Sequence, residues 1–108
     1  AKMNLSIVKG NLTRDPELKE AGEAFVAEFG VAVNRRVKRG DEWEEQPEFI
    51  DMKCWGARGE ALVNHFSKGM PILVRGEFRT SRWEKDGEKR SKSYIHVHDW
   101  EFCSKKSE

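Results

Sequence analysis

Phe49-Ile50-Asp51-Met52-Lys53-Cys54-Trp55 is the stretch on which the reading of this 108-residue chain turns. Its even positions, Ile50, Met52 and Cys54, are apolar, while its odd positions set two large rings, Phe49 and Trp55, beside Asp51 and Lys53. Successive side chains of a strand point to opposite faces. The alternation therefore predicts a half-buried strand whose core face is Ile50, Met52 and Cys54. Large rings on a polar face are either covered, by a loop, a helix or another subunit, or put to use. The use that fits rings beside a lysine is a stacking platform. Every nucleobase has a π-face, and stacking contributes about 1–3 kcal/mol per base without reading sequence.

The segment to the C-terminal side repeats the arrangement. Gly56 interrupts the strand, and Ala61, Leu62, His65 and Phe66 then fall on one helical face, predicting a helix over 57–68. Gly69 is placed to end it and Pro71 blocks its continuation. Ile72, Val74, Gly76 and Phe78 alternate as the core face of a fourth strand. Its other face carries Arg75, Glu77, Arg79, Ser81 and Trp83, with Arg82 beside the tryptophan, so a ring again sits among bases. Asp86-Gly87 signals a hairpin turn, and Tyr94 to Phe102 reads as the fifth strand.

On the N-terminal side, Phe25, Ala27, Phe29, Val31 and Val33 alternate as the second strand, and Leu5, Ile7 and Val8 belong to the first, which stops at Gly10-Asn11. Asp15-Pro16 marks a turn, and the polar run from Val37 to Gln46 reads as a loop. The second strand leads into Arg35-Arg36-Val37-Lys38-Arg39, a solvated charge run or a set of phosphate contacts. Trp43, inside the loop, either caps the barrel or reaches a base. The order is β-β-β-α-β-β. It fits an all-β OB-fold, a five-stranded partly open barrel, with the short helix between strands three and four. Other small barrels and α+β folds share that inventory.

Composition bounds the function. Residues 1–108 are read as one domain, with 37% apolar and 36% charged residues and a net charge of +1. Asp41, Glu42, Glu44, Glu45 and Glu48 form an acidic patch without a base, so the remainder holds 14 acids against 20 bases. The two cysteines, Cys54 and Cys103, lack CxxC spacing, and nothing upstream resembles a signal peptide, which predicts a cytoplasmic protein with reduced thiols. No apolar run reaches membrane-spanning length. His96 and His98 share a strand face and His65 lies on the helix, but further ligands would have to come from elsewhere, so no metal is expected. No Ser-His-Asp or Cys-His spacing and no phosphate-cradling glycine loop is present. Neither catalysis nor a cofactor is expected.

Three stretches carry a resemblance to a known family. Residues 10–18, GNLTRDPEL, are similar to the signature near the start of bacterial single-stranded DNA-binding proteins. PEFIDMKCWGARGEALVNHFSKG resembles that family's third strand and helix, and RGEFRTSRWEKDGEKR resembles its following strand and hairpin. The resemblance covers residues 3 to about 103. It implies an OB-fold, a homo-oligomer, usually a tetramer, and sequence-independent binding of single-stranded DNA in replication, recombination and repair, on the nucleoid. By position, the family's stacking aromatics fall on Phe49, Trp55 and Trp83, its basic residue before the tryptophan on Arg82, and its helix-ending lysine on Lys68. The full candidate set is Phe49, Trp55, Trp83 and Trp43 for stacking, and Arg35, Arg36, Lys38, Lys53, Lys68, Arg75, Arg79 and Arg82 for phosphate.

The chain departs from the family's pattern in places. Val37 stands where many members have tryptophan at the end of the second strand, so that stacking site is absent or is supplied by Trp43. Ile50 replaces a histidine near the family's subunit contacts, which keeps a homodimer open beside the tetramer. The family's acidic-tipped tail is not seen: the chain ends Lys105-Lys106-Ser107-Glu108, so either a tail has been removed or the recruitment of repair partners through it is lacking, and residues 103–108 are expected to be disordered. Rival readings are a primosome-type accessory dimer acting through protein contacts, an RNA-binding OB module, and a small metal-dependent hydrolase using the histidines.

Overall fold

The computed structural model describes residues 2–103; the end expected to be disordered lies, apart from Cys103, outside them. In chain order the elements are β1 (Ser6–Leu12), β2 (Glu17–Ala21), β3 (Ala24–Arg39), β4 (Glu42–Trp55), α1 (Gly56–His65), β5 (Pro71–Lys85) and β6 (Glu88–Phe102). The strands form one sheet in the order β1-β5-β6-β4-β3-β2, and a β1–β3 pairing closes it. The β1–β3 contact is short, Asn11 to Ala32 and Leu12 to Val31, so the barrel is only partly shut. This is the OB-fold, with the helix between the third and fourth barrel strands.

The expected five strands are joined by a sixth, β2. Its residues are all exposed, so it carries no period-two apolar signal that a sequence reading could detect. It forms because Gly22, at φ 68°, turns the chain back onto β3. The expected loop from Val37 to Gln46 is also strand: β3 and β4 stay paired from Val26–Trp55 out to Arg39–Glu42, with Gly40, at φ 62°, in the turn. Polarity misled there, because an exposed two-stranded arm needs no apolar face when both its strands are solvated. The Asp86-Gly87 turn stands as expected, both residues at positive φ, joining β5 to β6.

The core follows the alternation. Ala27, Phe29 and Val31 of β3, Met52 and Cys54 of β4, and Ile72 and Val74 of β5 are buried. Ile50 and Val33 are half-buried against this cluster. Phe25 and Phe78 depart from it: each continues a core-face series but lies exposed, at 40% and 51%. Burial pushes the Cys54 thiol up to about 11, which makes it unreactive at neutral pH.

The helix ends earlier than the apolar spacing predicts, at His65. Phe66 turns to extended backbone at φ −119°, ψ 150° and buries its ring, stacked 5.0 Å from Phe102 and edge-on to Trp100 at 5.2 Å. Gly69 makes the turn into β5 at φ 90°, its N–H donating to the Leu12 carbonyl at 2.8 Å. Inside α1, Gly59 lies against β4, and a Cβ there would overlap the Cys54 carbonyl oxygen. In a solvated helix Gly→Ala gains about 1 kcal/mol. Here the obstacle is backbone and cannot rotate away, so overpacking of about 1–3 kcal/mol reverses the sign. Gly59→Ala is therefore expected to lower the urea midpoint; a raised midpoint would show that α1 does not sit this close to β4.

Candidate nucleic-acid interface

Two long hairpin arms, β3–β4 and β5–β6, project from the barrel. On β4, the odd positions Trp43, Phe49, Asp51, Lys53 and Trp55 share one face. Phe49 is 72% exposed, Trp55 40% and Trp43 56%. Register puts Arg36 opposite Glu45 and Lys38 opposite Trp43, so both bases lie on this same face. The Arg36 guanidinium sits 4.9 Å from the Trp43 ring centroid. Trp43 thus belongs to the ring-bearing face as a strand residue, where the sequence reading had it in a loop.

The basic run divides by parity. Arg35 and Arg39 point to the other side of the arm, where the acidic run faces them. The Arg35 Nε donates to Glu48 at 2.8 Å, and the Arg39 Nε forms an ion pair with Glu44 at 2.9 Å. What reads in sequence as a basic run followed by an acidic loop is one hairpin whose two strands neutralise each other across the ladder.

On β5 the outward face carries Arg75, Glu77, Arg79, Ser81 and Trp83, the last 45% exposed. Arg82 alternates to the opposite face from Trp83. Arg79 is engaged: its Nε donates to Glu77 at 2.8 Å, and His98 Nε2 lies 2.9 Å from the other oxygen of that carboxylate. These partners, Arg79 first, hold the Glu77 carboxyl below its usual range. His96 and His98 rings lie 5.2 Å apart, and His96 Nδ1 is buried without a hydrogen-bond partner among the described residues. Burial, then the neighbouring Arg79 and His98, lowers the His96 pKa. Lys68 stands apart in the turn after α1, its backbone N–H bound to Asp15 at 2.8 Å.

β4 and β6 pair in parallel only at Met52–Ile95 and Lys53–His96. Beyond that they diverge and a cleft of about 280 Å³ opens between the arms, bordered by Trp83 and Tyr94. Arg14, Lys53 and Lys92 supply positive charge around it. Lys53 Nζ sits 4.7 Å from the Tyr94 ring centroid. Tyr94, Arg14 and Lys92 were missed in the sequence. The signal for Tyr94 was there, in its alternation with Lys92 and His96 on the outward face of the last strand.

The arrangement is an open, ring-bearing surface edged with cations, without an enclosed reaction centre among the described residues. It suits a flexible polyanion with planar groups. Comparisons with known proteins agree. The sequence matches the profile of the Single-strand binding protein family over residues 3–103. A single-stranded DNA-binding protein of Treponema pallidum is 47% identical over 97 residues, covering 88% of this chain and 54% of that protein. One from Borreliella burgdorferi is 37% identical, covering 96% of this chain and 72% of its own length. The chain thus spans about half of the first relative. A crystal structure of a deletion mutant of the single-stranded DNA binding protein from Thermus aquaticus superposes with a TM-score of 0.82 at 22% identity, over 94% of this chain and 51% of that one, a likeness of fold.

Proposed function

Because this chain belongs to the single-strand binding protein family, we propose that it binds single-stranded DNA without reading its sequence and protects it during replication, recombination and repair. The observation that carries the proposal is the shared outward face of Trp43, Phe49, Trp55 and Trp83 with Arg36, Lys38, Lys53, Arg75 and Arg79. Bases stack on the rings and phosphates meet the cations, over roughly 4–16 nucleotides for one OB unit. Arg35 and Arg82 point away from the rings, and Lys68 lies off both arms, so these three contribute at most to the outer path of the backbone. The role is binding rather than catalysis, with no cofactor. It belongs in the cytoplasm on the nucleoid, and among the described residues no helix is long and apolar enough to cross a membrane.

The reading extends to a homo-oligomer. Among the described residues, β1 from Ser6 to Gly10 is paired on one edge only, by β5. Ile7, Leu5 and Leu73 are exposed nearby, at 64%, 58% and 36%. An unpaired edge with apolar neighbours favours a second copy. A homotetramer is the assembly proposed, a homodimer the smaller one the same edge allows.

Titration with oligo-dT at low and high salt tests the binding. Tryptophan emission is expected to be quenched on binding, with log affinity falling against log salt by about 0.7 per phosphate contact. Unchanged emission, with no binding by a second probe, would return the rings to a protein interface.

The neutralised arm yields a separate expectation. Exposed ion pairs are worth about 0–1 kcal/mol, so each pair holds its arginine from phosphate by at most about fivefold in affinity. Glu44→Gln with Glu48→Gln frees Arg39 and Arg35. Affinity for oligo-dT at low salt should rise, and the salt slope should steepen by up to about 0.7 for each arginine recruited. An unchanged slope would mean that the strand never passes that side of the arm.

A further inference from the structure

The cleft between the arms has a chemistry that stacking and charge do not require. Asp51 places a carboxylate in its lining, which it shares with Trp83, Tyr94, Lys53 and Lys92. Lys92 Nζ approaches Asp51 Oδ2 at 3.4 Å, with the two side chains 63% and 41% exposed. Such a long, solvated pair is readily exchanged for another donor. At about 280 Å³ the cleft lies just below the range of pockets that hold drug-sized ligands, about 300–1,000 Å³, which suits something the size of one base.

We propose that this cleft is a side pocket for one nucleobase carrying an exocyclic amine, cytosine in particular, with Asp51 accepting from the amine. The proposal rests on the single-strand binding argued above and adds a preference to it. A carboxylate accepting from cytosine N4 is a standard base contact. Cytosine O2 and N3 are acceptors, and Lys53 or Lys92 can donate to them. Thymine turns O4 toward the same carboxylate, oxygen against oxygen, and gains nothing there. Tyr94 and Trp83 flank the base, and Lys53 over the Tyr94 ring holds that wall in place. The cleft's other carboxylate, Glu28, is held by Lys19 at 3.0 Å, and the rings and cations treat all bases alike, so Asp51 is the specificity-determining residue.

The test compares two oligonucleotides of equal length within the span of one OB unit: oligo-dT, and the same strand with one central dC. Their affinities are measured for the wild-type chain, Asp51→Asn and Asp51→Glu. The wild type should bind the dC strand roughly 10-fold tighter or more, the low end of the value of one hydrogen bond to a charged group. Asp51→Asn, whose amide can face either base, should abolish that ratio, while its affinity for both strands holds or rises as Lys92 is freed. Asp51→Glu should retain part of the ratio. Equal wild-type affinities for the two strands, or a preference that survives in Asp51→Asn, would overturn the proposal while leaving the general binding in place. Failure of both strands to bind would overturn the binding itself, and the pocket with it.

Discussion

Replacing Phe49, Trp55 and Trp83 together with alanine is expected to weaken oligo-dT binding by about a hundredfold or more. Each stack contributes about 1–3 kcal/mol, so even the low end of three stacks sums to about two decades in affinity. Residues on one bound strand couple, so the single and double variants will not sum to the triple value. The fold should hardly notice. The three rings are 72%, 40% and 45% exposed, and surface changes away from special features usually stay within about 0.5 kcal/mol. Because the substitutions remove two reporter tryptophans, anisotropy of a labelled oligo-dT is the measurement. A folded triple variant that lost less than about tenfold would place the affinity in the phosphate contacts rather than the stacks.

Trp100→Ala should do the reverse: unfold the protein readily and leave the binding surface untouched. Trp100 is 4% exposed and meets Phe66 and Phe102 edge-on. Its indole N–H donates to the Arg58 carbonyl at 2.9 Å, and the Arg58 guanidinium lies 4.0 Å from its ring centroid. That guanidinium also donates 2.6 Å bonds to Asp99 and to the Trp100 carbonyl, fastening α1 to β6. Truncating a buried tryptophan costs about 3–5 kcal/mol, a large share of the roughly 5–15 kcal/mol by which domains are stable. The urea midpoint should fall steeply, against little change for Trp83→Ala. If the alanine variant does not fold, Trp100→Phe, which keeps a ring but loses the N–H donor, should show a smaller loss in the same direction. A Trp100→Ala loss below about 1 kcal/mol would mean that Trp100 does not anchor α1.

The four tryptophans show where sequence reading reaches and where it stops. Trp55 and Trp83 were legible as surface rings because period two is a property of a single strand: Ile50, Met52 and Cys54 mark the core side, and the parity of their neighbours follows. Trp100 obeys no such local rule. Register passes from Arg75–Asp99 to Gly76–Val97 and leaves His98 unpaired. That bulge inverts the parity of β6, so Ile95, Val97 and Trp100 all reach the core. An unpaired residue is defined by the partner strand, and no window on β6 alone contains it. Trp43 lay in a stretch whose polarity reads as loop, and only the cross-strand ladder to β3 made it strand.

From the sequence alone came the strand-helix-strand order, the core face of the third barrel strand, the Asp86-Gly87 turn and the aromatic-plus-basic character of the outward faces. All of these depend on chain-local periodicity and turn chemistry. The tertiary structure alone decided which arginines stand beside the rings and which are neutralised by the acidic strand, and that Tyr94, Asp51 and Trp83 border one cleft. Those outcomes depend on register, the choice of which residue of a distant strand lies opposite, and a shift of one residue there turns every side chain to the other face.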